Sequence, residues 1–140
     1  MIVLDTNVVS EVFKRNPEPH VVAWLDRQYV ADVFISAITA AELLRGVAEM
    51  PVGRRRSELS ATIAETLETD FAERILPFSV SCAVLFAQIH ERRIRVGRPI
   101  HLADALIAAT ALNAGADLLA TRNVRDFEQT GMKVFNPWRS

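Results

Sequence analysis

Apolar and polar positions fall in blocks along this chain. Ile2, Val3 and Leu4 form a short apolar run that ends on a carboxylate, Asp5; Thr6 and Asn7 follow, and apolar spacing resumes at Val8, Val9 and Val12. An apolar run bounded by turn chemistry reads as a buried strand feeding a helix. Residues 2–5 are therefore expected to be the first strand and residues 8–13 a short helix, closed by Lys14-Arg15-Asn16-Pro17. Pro19 opens a second helix, with Val21, Trp24 and Leu25 on one face. Residues 33–35 are the second strand, and helices are expected at about 40–50 and 54–71, the latter with Leu59, Ile63, Leu67 and Phe71 at intervals of four. Residues 75–78 form a short strand or extended link, Ser79 caps a helix reaching about residue 94, and residues 101–114, the most apolar helix, end at Gly115. Further strands are expected at 117–121 and 133–135.

Strands alternating with helices imply an α/β fold: a mostly parallel sheet of about four or five strands with helices on both faces, a three-layer α/β/α sandwich. No linker or composition break divides the chain, so residues 1–140 are expected to be one domain.

Composition narrows the class. Half of the residues are hydrophobic, 24% are charged and the formal charge is −1, so any nucleic-acid-binding surface must be a local one. Cys82 is the only cysteine, which excludes an intramolecular disulfide and a thiolate metal cluster and fits a reducing cytoplasm. The N-terminal run lacks a basic start and is interrupted by Asp5, unlike a signal peptide, and residues 102–120 contain Asp104, Asn113 and Asp117, too polar for a membrane span.

Four polar residues attract attention by position. Asp5 and Asn123 follow strands, Glu42 opens the helix after another strand, and Asp104 opens the helix before the strand at 117. Open α/β sheets bind ligands beyond the carboxyl ends of their strands. Each residue also has a purely structural use. Asp5 could cap the helix after it. Thr39-Ala40-Ala41-Glu42 fits a capping box. Asp104 suits the positive end of its helix, and Asn123 an Asx-turn. Helices preceding strands are expected to start at the opposite sheet edge, so the edge rule does not bring Asp104 to the others. Were the carboxylates to converge, their repulsion would call for a cation, and oxygen donors without Cys or His suit Mg²⁺ or Mn²⁺. Such a site fits phosphodiester hydrolysis.

In these motifs, over the whole chain, the sequence resembles PIN-domain toxins of the VapC type, close to the FitB-like subgroup. The residues that carry the resemblance include Ile2-Val3-Leu4-Asp5-Thr6-Asn7-Val8, Ile35-Ser36-Ala37-Ile38-Thr39-Ala40-Ala41-Glu42-Leu43 and Arg74-Ile75-Leu76-Pro77-Phe78. They continue with Ala103-Asp104-Ala105-Leu106-Ile107-Ala108-Ala109-Thr110, Leu119-Ala120-Thr121-Arg122-Asn123 and Val134-Phe135-Asn136-Pro137-Trp138. The resemblance implies a PIN fold in which Asp104 does reach the cleft, and Mg²⁺- or Mn²⁺-dependent endoribonuclease activity. It assigns Asp5, Glu42 and Asp104 to the family's acidic positions and Asn123 to a fourth that is often Asp. Asn brings a carbonyl but no charge, which points to one well-held ion. Thr6 and Thr121 match hydroxyl positions beside the acids, where they would hold carboxylates or water. Asp126 reads as a surface turn residue. The implied partners are an RNA substrate, a cognate VapB/FitA-like antitoxin, operator DNA through that antitoxin, and a second copy in a homodimer, for which Val21, Trp24 and Leu25 are candidates alongside a core role.

Two basic runs remain. Arg92, Arg93, Arg95 and Arg98 close a helix, where cations suit the dipole; the resemblance also makes them candidates for an RNA-binding rim. Arg54-Arg55-Arg56 opens a helix, against the dipole, on a solvated face or toward RNA or an acidic partner. His20, His90 and His101 lack metal-ligand spacing, and Trp24 and Trp138 read as core or interface anchors, not base-stacking surfaces. Two rival functions stand beside the nuclease. A phosphoryl-transfer aspartate enzyme would want an acid where Asn7 stands, and no Gly-rich phosphate loop occurs. A catalytically silent PIN module would use the acidic cleft to dock a basic peptide in a DNA-binding complex.

Overall fold

The computed structural model describes residues 1–139. Five strands form one sheet: β1 (Ile2–Leu4), β2 (Val33–Ser36), β3 (Ile75–Leu76), β4 (Leu118–Ala120) and β5 (Val134–Phe135). Their order is β3-β2-β1-β4-β5 and every pairing is parallel, with Leu4 opposite Ile35 on one side and Ala120 on the other. Six α-helices accompany them: α1 (Thr6–Val12), α2 (Pro19–Asp26), α3 (Ala37–Ala48), α4 (Arg54–Glu65), α5 (Val80–Arg95) and α6 (Leu102–Asn113).

The pleat of the strands divides the core into two. Val3 and Leu119 point into an apolar layer with Ile89 of α5 and Ala105, Ile107 and Ala108 of α6; Leu4, Ile35 and Ala120 point into the other, with Val8, Val21, Trp24, Leu43 and Ile63 from α1 to α4. Both sheet faces are covered, which is why the strands read as unbroken apolar runs. The expected three-layer α/β/α sandwich is observed, with an entirely parallel sheet.

Several local expectations change. The helix expected over 54–71 is α-helical only to Glu65 and continues as a wide π-type turn over Thr66–Asp70. The Phe71 N–H donates to the Thr66 carbonyl at 2.9 Å, five residues back. Apolar residues at strict intervals of four drift about 40° per step around an α-helix; one wide turn takes up that drift and returns Leu67 and Phe71 to the core. The capping box at Thr39 does not form. Ser36 is the cap, accepting from the Thr39 N–H at 3.0 Å, so α3 starts earlier and Glu42 lies in its second turn. Val21 and Trp24 are buried, and Trp24 stacks on Phe135 with ring centroids 5.4 Å apart, so these candidates for a dimer face belong to the core. No helix among the described residues is long and apolar enough to cross a membrane.

The central strands tolerate little loss of volume. Leu119→Ala, at a fully buried position, is expected to lower unfolding free energy in urea by about 3 kcal/mol. Val80→Ala, at an exposed one, should change it by less than about 0.5 kcal/mol.

Candidate functional site

After β1 the chain moves to β2 and β3 on one side; after α6 it returns to β4 on the other. The loops beyond β1 and β4 therefore separate and leave a crevice at the carboxyl edge, the ligand position of open α/β sheets. A cavity of about 380 Å³ lies there, lined by Asp5, Thr6, Asn7, Ser10, Glu11, Lys14, Glu42, Asp104, Arg122, Asn123 and Trp138.

Asp5 is buried and held at both oxygens. Its Oδ1 accepts from the Thr6 N–H at 2.8 Å, capping α1, and its Oδ2 accepts from the Thr121 hydroxyl at 2.8 Å. The capping role and a place on the cavity wall coexist in one carboxylate. Burial pushes the Asp5 pKa up, the bonds from Thr121 and Thr6 oppose that, and the charges of Glu42 and Asp126 add to it. Glu42 Oε1 accepts from the Thr6 hydroxyl at 2.6 Å, which also lies 3.1 Å from Thr39 Oγ1. Thr6 thus links α1 to α3 across the cavity.

Asp104 reaches the same cavity, because α6 starts at the carboxyl edge and not at the opposite one. α6 runs antiparallel to the strand it precedes. Its C-terminal end turns at Gly115, with φ +71°, and Asp117 N–H donates to the Met1 carbonyl at 2.9 Å, at the amino edge. Its first turn, with Asp104, consequently stands at the carboxyl edge. Desolvation, then the charges of Asp5 and Asp126, push Asp104 up to about 6. Asp126 is half-buried and near enough to raise both acids, so it is more than a surface turn residue. Asn123 also lines the cavity, and its side chain caps no helix; the local turn is made by Thr121 Oγ1, which accepts from the Asn123 N–H at 3.0 Å.

The arginines of the 92–98 segment are elsewhere, and none lines this cavity. Arg93 is buried and donates to the carbonyls of Arg98, Asp126 and Glu128 at 2.7, 2.8 and 3.0 Å. Arg92 donates to the Gln129 carbonyl, Arg95 pairs with Glu91, and Arg98 pairs with Glu128 at 2.6 Å. Arg92, Arg93 and Arg98 brace α5 and the turn after it against the 125–129 segment, whereas the Arg95 pair lies within α5; Arg93 in particular is buried on this contact. The cations on the cavity wall are Lys14 and Arg122 instead. Lys14 pairs with the buried Glu11 at 3.0 Å, and that bond holds the Glu11 carboxyl below its usual range. Asn7, Glu11 and Lys14 lie at i, i+4 and i+7 on α1 and the turn after it, a polar face legible beside the apolar Val8, Val9 and Val12.

Among the described residues, no group of three or more His, Cys, Asp or Glu side chains is already drawn together as a metal-binding cluster. The donor chemistry nevertheless fits a hard cation: Asp5 and Asp104 face one cavity with raised pKa values, beside a neutral amide. Mg²⁺ takes one or two carboxylates and completes its shell with water and phosphate oxygens, so it does not require three protein acids in contact.

Fold and cavity together define an all-parallel α/β domain with an acidic cleft at its topological switch point. Residues 2–132 match the PIN domain family, and the chain belongs to that family. It is 43% identical to the toxin FitB of Neisseria gonorrhoeae over 138 residues, covering 99% of both chains. It is 41% identical to the VapC ribonuclease Y4jK of Sinorhizobium fredii, covering 99% of this chain and 98% of the relative. Among solved structures, the FitAcB complex from Neisseria gonorrhoeae superposes with a TM-score of 0.93 at 42% identity, over the whole of both chains. The FitAB complex bound to an IR36 DNA fragment gives 0.92 at 42% identity, covering 99% of this chain and 96% of that one.

Two outcomes follow from this geometry. With its folded-state pKa above the ordinary 3.8, Asp104 binds its proton more tightly folded than unfolded. Its stabilising contribution is full below pH 3.8 and declines as pH rises to about 6. Asp104→Asn should thus stabilise the metal-free protein at neutral pH by about 1 kcal/mol, after solvent screening of a half-buried group. The gain should vanish below about pH 4 in a pH series of thermal melts. Arg93→Met should cost about 2–4 kcal/mol in urea unfolding, because it leaves three carbonyls without their donor.

Proposed function

We propose that this protein is a metal-dependent endoribonuclease, the toxin of a toxin–antitoxin pair. The observation that carries the reading is the meeting of Asp5, Glu42, Asp104 and Asn123, far apart in sequence, around one cavity at the switch point. Membership of the PIN family and full-length similarity to proteins named as a VapC ribonuclease and a toxin support it.

Asp5, Asp104, Glu42 and the Asn123 carbonyl would hold Mg²⁺ or Mn²⁺ at this cavity. When bound, such an ion supplies a water of lowered pKa and positive charge for the phosphate oxygens. The chain's own contribution is orientation. Thr121 and the Thr6 N–H fix both oxygens of Asp5, while the Thr6 hydroxyl fixes Glu42. Lys14 and Arg122 give the wall a positive side against which a phosphodiester can lie.

The partner in this reading is an antitoxin of the FitA or VapB kind, with operator DNA bound through it, as the FitAB complex holds DNA in its solved structure. An antitoxin arginine laid across the cavity would supply the cation that the acids demand and so block the site. The rival module, silent in catalysis and docking a basic peptide, uses the same acids and draws on the fact that no three-acid cluster is drawn together among the described residues.

Purified, partner-free protein should cut cellular RNA into discrete fragments with Mg²⁺ or Mn²⁺ and not with EDTA. Asp5→Asn and Asp104→Asn should each reduce the rate by more than about 100-fold, and Thr121→Val by about 10- to 100-fold, since the Thr121 hydroxyl orients Asp5 and the turn at Asn123 and does not itself line the cavity. Folded wild type that cuts no RNA at any metal concentration would transfer the assignment to the docking module.

A further inference from the structure

Exposed cations continue away from the acidic cavity in one direction. The cavity shares Glu11, Lys14, Arg122 and Trp138 with a second hollow of about 610 Å³, whose wall also includes Arg15. Arg15 in turn lines a third hollow, of about 620 Å³, together with Arg54 and Arg55. The first two hollows share a wall and Arg15 stands between the second and the third, so cations follow one another from Arg122 and Lys14 to Arg15 and on to the first turn of α4, with Glu11 and Glu18 beside them in the second hollow and Glu58 in the third.

The charges along this path are only partly used. Lys14 pairs with Glu11, and Arg54 with Glu58 at 2.9 Å, while among the described residues Arg15, Arg55 and Arg122 enter no ion pair. Arg122 lies over the Trp138 ring at 5.2 Å, which holds its guanidinium at the wall shared by the first two hollows. Trp138 is therefore part of this wall as well as a packing residue. The far end has a local cost. Arg54, Arg55 and Arg56 are the first residues of α4, Gly53 gives no side-chain cap, and no acid stands in the first turn. Three cations at the positive end of a helix oppose its dipole. A chain of phosphates passing this end would relieve that conflict, since it meets the guanidinium groups and the helix N-terminus together.

We propose that Arg15, Arg54 and Arg55 are positioning residues that extend the Lys14–Arg122 wall into a track for single-stranded RNA flanking the bond to be cut. The proposal rests on the ribonuclease reading and adds the direction in which the substrate leaves the cavity. All three arginines are exposed, so their removal leaves the core intact.

The test uses the full chain in EDTA, with labelled single-stranded oligoribonucleotides of about 4 and about 14 nucleotides, lengths within and beyond one compact binding site. Binding is titrated between about 50 and about 200 mM KCl. Wild type should bind the longer strand at least about tenfold more tightly. The double variant Arg15→Ala, Arg55→Ala should lose most of that length advantage, and its plot of log affinity against log salt should flatten by about 1.4, two phosphate contacts on a single strand. Arg15→Glu, Arg55→Glu should go further and favour the shorter strand. Wild type that prefers the longer strand, with the double variant keeping both the preference and the slope, would overturn the track alone. Wild type that binds neither strand would overturn the track, while the ribonuclease reading stands or falls separately on metal-dependent cleavage of RNA by the same preparation. If the double variant kept its RNA slope but lost binding to a co-expressed partner protein, the arginines would belong to a protein interface and the track would fall.

Discussion

The Thr121 hydroxyl and the Asp5 carboxylate, 2.8 Å apart and buried at the carboxyl edge, are what the rest of the site depends on. A buried carboxylate is costly unless its oxygens are satisfied. Here the satisfaction is built into the sheet. Leu4 pairs in register with Ala120 and the Asp5 N–H donates to the Ala120 carbonyl, so the next residue on each strand, Asp5 and Thr121, must be neighbours. The parallel pairing that forms the core therefore also points one carboxylate, at a fixed angle, into the switch-point crevice. Thr6 repeats the device at the next contact. Its N–H holds Asp5 and its hydroxyl holds Glu42, tying β1, α1 and α3 into one wall.

Against this order stands electrostatic conflict. Asp5 and Asp104 each feel Glu42 and Asp126, and each feels burial, so both bind protons more tightly than free carboxylates. A chain with a formal charge of −1 has thus segregated its charges. Acids collect at the cavity floor; Lys14, Arg122 and the arginines beyond them collect along the side. Net charge alone concealed this separation, and it is the separation that matters to a polyanionic substrate. The floor gathers acids, while along the side the cations Arg15, Arg55 and Arg122 enter no ion pair among the described residues even though Glu11, Glu18 and Glu58 line the same hollows, so a divalent cation and a phosphodiester would each meet unpaired charge at its own place.

Much of the fold was legible because its signals were local. The apolar runs at 2–4 and 33–35, Pro19 at the start of α2, Ser79 as a cap and Gly115 as a helix end each appear where sequence places them. What was not legible depended on geometry between elements. Glu42 fitted a capping box because Thr39 sits three residues before it; only the earlier start of α3 at Ser36 frees its carboxylate for Thr6. Arg93 fitted a basic rim because it is one of several arginines in a row, yet its place opposite the 126–128 carbonyls makes it a buried brace. Trp24 fitted an interface as well as a core, and its stacking on Phe135, 111 positions along the chain, is a tertiary fact.

Asp104 shows how such reasoning fails and how it is repaired. A helix before a strand does not start at the far edge, because the chain must still return to where that strand begins. A crossover helix must carry the chain from the carboxyl edge back to the amino edge, so its beginning, not its end, faces the site. Applied from the start, that rule would have gathered Asp5, Glu42, Asp104 and Asn123 at one edge with no appeal to family likeness. It also explains the neutral residue at 123. Glu42 and Asp126 already press on Asp5 and Asp104 at this edge. An amide there keeps an oxygen donor on the cavity wall without adding a further charge that the fold would have to hold.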